Sequence, residues 1–257
     1  MIFETHAHYD DEAFAQDREI LLEGMREHGI ETVINVCAEA DRIGDTVALM
    51  ERYPFVYGAV GVHPDDAGKM DEEILKRIQS LCRHEKTVAV GEIGLDYYWD
   101  KENHQVQKEW FERQMEVARE EKLPFIIHSR DAANDTLQMM KALHAKEMSG
   151  GVIHCFSYGK ELAREYLNMG LYIGIGGVVT FKNARKLKEV AAYAPLEQIL
   201  LETDSPYLAP APNRGKRNSS WNLPYIAQEI AEIKGISAEE VEAVTRDNAR
   251  KLFYKVK

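Results

Sequence analysis

Eight short apolar runs rich in β-branched residues constrain this chain more than any other feature. They lie at 2–5, 32–36, 56–62, 88–91, 124–127, 151–153, 171–175 and 199–202. Over 257 residues they recur about every 32, the length of a strand–helix unit. Runs that are apolar along their whole length imply strands buried on both faces, hence a parallel sheet. Between them the apolar residues take up helical spacing. Ile74, Leu75, Ile78, Leu81 and Cys82 make one stripe, Leu223, Ile226, Ala227, Ile230 and Ala231 another, and Ala40, Ile43, Val47 and Met50 a narrower third. Eight strands alternating with helices predict a (β/α)8 TIM barrel, α/β in class, forming a single domain over 1–257. The alternative is an open doubly wound sheet with a phosphate-binding first turn. Its one glycine-rich candidate, Gly174-Ile175-Gly176-Gly177-Val178-Val179, comes late and has Val where the dinucleotide fingerprint needs its last Gly. The one long irregular stretch, 205–222, contains Pro206, Pro210 and Pro212 and follows the last strand, where barrel active sites are built.

Composition narrows the function. An apolar fraction of 45% and a charged fraction of 29% suit a soluble globular enzyme and exclude disorder or a coiled coil. No run reaches the 18 or more apolar residues of a membrane span, and the N-terminus reads as lacking a secretory signal. Cys37, Cys82 and Cys155 are widely spaced without a CxxC, as expected of reduced thiols in a cytoplasmic protein. Lys and Arg number 32 against 43 Asp and Glu, a net charge of −11. That argues against a chromatin-like polyanion binder but not against a nuclease, because metal ions supply positive charge locally.

The chemistry-bearing side chains gather at strand ends. His6 and His8 close the first strand, His63 follows the third and Glu92 ends the fourth. His128 ends the fifth, His154 the sixth and Asp204 the last. Strand side chains alternate, so His6 and His8 point the same way and can chelate one ion. Mixed imidazole and carboxylate donors suit Zn²⁺, Mn²⁺ or Fe²⁺. The six ligands His6, His8, Glu92, His128, His154 and Asp204 exceed one tetrahedral site, yet fit two ions about 3.5–4 Å apart that share a carboxylate. The bland alternative is hydrogen-bonded loop histidines, the state expected for His28, His84, His104 and His144 in their polar stretches. His63 is assigned to substrate phosphate rather than metal.

Glu4-Thr5-His6-Ala7-His8, Gly61-Val62-His63-Pro64, Gly91-Glu92-Ile93-Gly94-Leu95-Asp96-Tyr97, His128-Ser129-Arg130, His154-Cys155-Phe156-Ser157 and Glu202-Thr203-Asp204-Ser205-Pro206-Tyr207-Leu208 together resemble the TatD family of metal-dependent deoxyribonucleases, within the amidohydrolase-like barrels. The resemblance runs in family order to Asn218. It implies a phosphodiesterase acting on DNA, exonucleolytic on single strands or strand ends, with two divalent cations per chain (Zn²⁺, Mg²⁺ or Mn²⁺). It implies one ion on His6, His8, Glu92 and Asp204 and a second on Glu92, His128 and His154, with Glu92 bridging. Glu4 stands where the family usually has Asp, Ala7 where Cys is common, Tyr158 where Gly is, and Ser219-Ser220 where Glu-Pro is. None of these removes a ligand, and the last two alter loops at the mouth.

A metal-activated water would attack phosphorus, with Asp204 as proton acceptor and His63 and Arg130 orienting a phosphoryl oxygen. For Arg130 the competing role is a salt bridge to Asp131 or a neighbouring loop acid. Arg214 and Arg217, in the one basic cluster, are expected to contact the phosphate backbone, and Tyr97, Tyr98 and Trp99 either stack on bases or roof the barrel. A monomer is expected. The rival function is a small-molecule amidohydrolase or esterase, or ester hydrolysis on an aminoacylated RNA, with the same binuclear centre. Many such barrels bridge their ions through a carboxylated Lys on the fourth strand, where this chain has Glu92. A barrel that has lost catalysis would be missing a ligand, and none is missing.

Overall fold

The computed structural model describes all 257 residues. Eight parallel strands run in sequence order around one sheet: β1 (Ile2–Ala7), β2 (Ile30–Val36), β3 (Val56–Val60), β4 (Thr87–Asp96), β5 (Phe125–Arg130), β6 (Gly151–Ile153), β7 (Tyr172–Ile175) and β8 (Ile199–Leu201). A parallel bridge between Ala7 and Ser205 brings the last strand back to the first. The helices that follow the strands are α1 (Arg18–Glu23), α2 (Ile43–Arg52), α3 (Glu72–Leu81), α4 (His104–Glu120), α5 (Ala133–Ala142), α6 (Lys160–Asn168), α7 (Arg185–Tyr193) and α8 (Leu223–Lys234). The arrangement is the (β/α)8 barrel that the strand spacing predicts.

Apart from Ala40 in the turn before α2 and Cys82 capping α3, the three apolar stripes fall on α2, α3 and α8, and their inward residues Ile43, Ile78 and Ile226 are buried. Asp71 begins α3 as an N-cap, its carboxylate accepting from the amides of Glu73 (2.9 Å) and Ile74 (2.8 Å). A further helix, α9 (Ala238–Leu252), closes the chain and carries Phe253 onto the barrel floor, where its ring stacks on Phe3 at 6.2 Å. Phe3, Ile34, Ile126, Val152 and Leu200 share that buried cluster with Phe253.

This floor explains where the polar residues go. Two steps along a strand keep the same side, so Ile126 leads to His128, Val152 to His154, and Leu200 to Glu202 and Asp204. From Phe3 to His6 is three steps. β1 makes up the odd one with a register shift, Glu4 to Ala7 opposing only Val33 to Asn35 on β2.

β4 departs from the sequence expectation. The apolar run predicts an end at Gly91, but the strand continues to Asp96, all ten residues buried. Glu92 therefore lies inside the strand instead of closing it. The polar residues Glu92 and Asp96 mimic a strand end in sequence, but Ile93 and Leu95 alternate with them and pack in the core. Residues Gly94 to Asp96 pair with His128 to Arg130 on β5. Gly94 has φ 144 and sits so close to the His128 carbonyl that any Cβ would overlap it, which requires glycine.

Candidate metal centre

The C-terminal mouth of the barrel opens into a cavity of about 680 Å³ whose base holds His8, His63, Glu92, His128, His154 and Asp204. His8 donates from Nδ1 to the Val36 carbonyl (2.7 Å), which turns its Nε2 inward. That atom lies 3.2 Å from Nε2 of His6. On the other side His128 Nδ1 and His154 Nε2 lie 3.3 Å apart. Two imidazole nitrogens each about 2.0–2.1 Å from one tetrahedral ion would be about 3.3 Å apart. Both pairs therefore have the spacing of ligands to a common cation.

Glu92 lies between the pairs and divides its oxygens. Oε2 is 3.1 Å from His6 Nε2 and 3.7 Å from His8 Nε2. Oε1 is 2.7 Å from His128 Nδ1 and 2.6 Å from His154 Nε2. Asp204 Oδ1 joins the first pair, 3.3 Å from His8 and 3.8 Å from His6. Two cation positions, one on each oxygen of a shared carboxylate, fit this donor set.

The acid–base balance of the centre also calls for positive charge. Burial opposes a proton on His8, but the hydrogen bond and charge of Asp204 prevail and carry it to about 10. Burial likewise opposes charge on His128, and Asp96 with Glu92 raises it to about 9. Burial holds His6 down at about 4, in the neutral form. Against the desolvation it suffers, Glu92 stays well below the usual carboxylate range because His154 and His6 face it.

Two carboxylates to which the sequence pattern assigns no role, Asp96 and Glu202, stand behind the histidines. Asp96 Oδ2 is 2.9 Å from His128 Nε2, the outer partner that sets which nitrogen of a ligating histidine is free. Its other oxygen accepts from the amides of Tyr98 (2.8 Å) and Trp99 (2.9 Å). Asp96 was legible in principle, since it shares the strand parity of Glu92. Glu202 lies behind His154, Oε1 being 3.8 Å from Nδ1, and accepts from the Cys155 amide. Burial pushes its carboxyl up to about 8.

The remaining expected substrate contacts divide. His63 Nδ1 accepts from the Asp65 amide (3.1 Å), so the neutral ring carries its proton on Nε2, facing the cavity. Burial and the neighbouring His128 keep it neutral, down at about 3. Arg130 lines the cavity and forms no salt bridge to Asp131; its guanidinium lies 4.0 Å over Tyr98. Arg214 does not line it, standing instead 4.3 Å over Phe181. Arg217 corrects the phosphate expectation: it binds both Asp17 oxygens (2.7 and 2.5 Å) and the Ala13 carbonyl (2.7 Å). An arginine consumed by three acceptors has little left for a phosphate. Tyr97 is likewise engaged, donating to Asp135 (2.8 Å) and stacking on His104 at 3.6 Å.

Residues 3–254 match the family profile described as TatD related DNase. The uncharacterized metal-dependent hydrolase YabD of Bacillus subtilis is 44% identical over 253 residues, covering 98% of this chain and 99% of its own. The crystal structure of YjjV, a TatD homolog from Escherichia coli K12, is 30% identical with a TM-score of 0.92 and covers 98% of each chain. A mutant organophosphorus hydrolase at 15% identity, with a TM-score of 0.65 over 98% of this chain and 92% of its own, shares the barrel fold.

Proposed function

The chain belongs to the TatD-related DNase family of metal-dependent hydrolases, and we propose on that premise that it hydrolyses phosphodiester bonds of DNA at single strands or strand ends. The observation that carries this reading is Glu92, whose two oxygens each face a separate histidine pair at 2.6–3.7 Å. We assign two divalent cations to His6, His8, Glu92, His128, His154 and Asp204. When bound, they supply a water acidified toward neutrality and positive charge beside the phosphoryl oxygens.

The protein groups do the rest. Asp204 accepts the water's proton: burial disfavours its charge, but His8 and the other histidines hold it below the usual carboxylate range, so it is ionised. It holds φ at 56, a left-handed backbone that aims its side chain into the cavity, and its amide donates to the His6 carbonyl at 2.9 Å. His63 offers its Nε2–H to a non-bridging oxygen, and Arg130 supplies a cation to the next phosphate. The acidic wall of the cavity, with Asp10, Asp65 and Asp66, repels strand that is not so neutralised. The test is hydrolysis of single-stranded oligonucleotides beside a panel of carboxylic esters and lactones, with Mg²⁺, Mn²⁺ and Zn²⁺ in turn. Metal-dependent cleavage of the oligonucleotide is expected. Turnover of an ester or lactone alone would replace this reading with the small-molecule one.

A further inference from the structure

We propose that Trp99 and Tyr98, with Arg130 packed against them, form a platform that seats one unpaired nucleobase at the mouth of the metal cavity. This rests on the phosphodiesterase reading above. The loop leaves β4 at Asp96, whose carboxylate holds the amides of Tyr98 and Trp99 while also reaching His128. The aromatic pair is thus fixed to the metal centre by one side chain. Trp99 lines the cavity yet is 66% exposed, and Tyr98 is 45% exposed. Their rings meet edge to face, 85° apart with centroids at 4.8 Å, so the indole leaves a broad apolar face open.

Charge places a nucleotide on this side of the mouth. Eight carboxylates line the cavity against three Lys and Arg side chains. Of those three, Arg42 is paired with Glu12 (2.8 Å) and Lys69 with Asp66 (2.8 Å). Arg130 has no carboxylate partner. It lies 4.0 Å over the Tyr98 ring and 5.4 Å from Trp99, beside Asp96 in the β4–β5 register. A phosphate entering the cavity meets one uncommitted guanidinium, and the aromatic faces adjoin it. A base within a duplex has both faces covered by its neighbours, so this platform takes an unpaired base. It also tolerates any base, since every base has a π face.

The experiment uses the full chain and two single strands of one length, one with bases throughout and one with an abasic analogue at the terminal nucleotides. For the wild type, deleting the bases should lower kcat/KM about 5- to 150-fold, the range of one base–aromatic stack. Trp99→Ala should lower kcat/KM by a similar factor on the base-bearing strand, chiefly through KM, and cost several-fold less on the abasic one. Trp99→Phe should recover most of the loss. Equal losses on both strands would assign the loop a structural role and overturn the platform, and so would no loss on either. Wild-type protein that cleaves neither strand would sink the phosphodiesterase reading itself, and the platform with it.

Discussion

Replacing Asp96 by Asn tests the centre through a residue that touches no cation. Asp96 Oδ1 accepts two amides, from Tyr98 (2.8 Å) and Trp99 (2.9 Å), while Oδ2 meets His128 Nε2 at 2.9 Å. Asn has one acceptor oxygen and one amide nitrogen. If the oxygen stays with the two amides, the –NH₂ faces His128, where two donors would collide. His128 then gives up its Nε2 proton and keeps the one on Nδ1, the nitrogen 2.7 Å from Glu92 that a cation would use. If Asn flips instead, the two partly buried amides of Tyr98 and Trp99 lose their acceptor and the turn that leaves β4 loosens. Either way the His128–His154 position weakens. Loss of such an outer partner typically costs about 10- to 100-fold in metal affinity or activity, or about 1.4–2.7 kcal/mol. The assay titrates metal-stripped protein with Zn²⁺ or Mn²⁺ against a chromogenic chelator, followed by turnover as a function of free metal. One of two affinities should fall while the other holds, and excess metal should restore much of the turnover. Two affinities within twofold of wild type, with unchanged turnover at limiting metal, would refute the role of Asp96 in setting the His128 tautomer.

Glu92→Gln should leave a folded chain with fewer than two metals and collapsed turnover; elemental analysis finding two metals beside near-normal hydrolysis would dispose of the shared carboxylate. Asp204→Asn should keep substantial metal and lose about 10²- to 10⁴-fold in kcat with a smaller change in KM, and an unchanged kcat would move the proton acceptor to another group. Arg217→Ala should lower the melting temperature while leaving the salt dependence of oligonucleotide binding unchanged. Since Arg217 holds the Asp17 carboxyl below its ordinary 3.8, the pair stabilises above that value and the contribution disappears as pH falls through the folded value. The gap in melting temperature should therefore be open at pH 7 and narrow toward pH 3, whereas a gap independent of pH would assign the effect to the stacking of Arg217 on Phe14. Chelator should abolish hydrolysis and lower the melting temperature, both reversed by divalent metal, because an ion bound only to the folded chain stabilises it.

The barrel was legible from the sequence because eight apolar runs at near-constant spacing leave a chain few ways to bury them, and period two places side chains on a common face. The convergence of His6, His8, Glu92, His128, His154 and Asp204 followed from the same rule, for strand ends in a parallel barrel all open at one mouth. Local pattern could not find what depends on separate strands meeting. Asp96 reads as the start of a loop until β4 is seen to continue beside β5, and only that register sets it against His128. Glu202 reads as one more strand-end acid until burial beside His154 raises its carboxyl. Arg217 reads as a phosphate contact because sequence shows its charge and not its partner, Asp17, two hundred residues away. Tyr97, Tyr98 and Trp99 are three like residues in sequence; the fold spends the first on Asp135 and His104 and leaves the others at the mouth. Residue type and period decide which side chains face a common space, while distance and burial decide which of them are already satisfied, and those exist only once the chain has closed on itself.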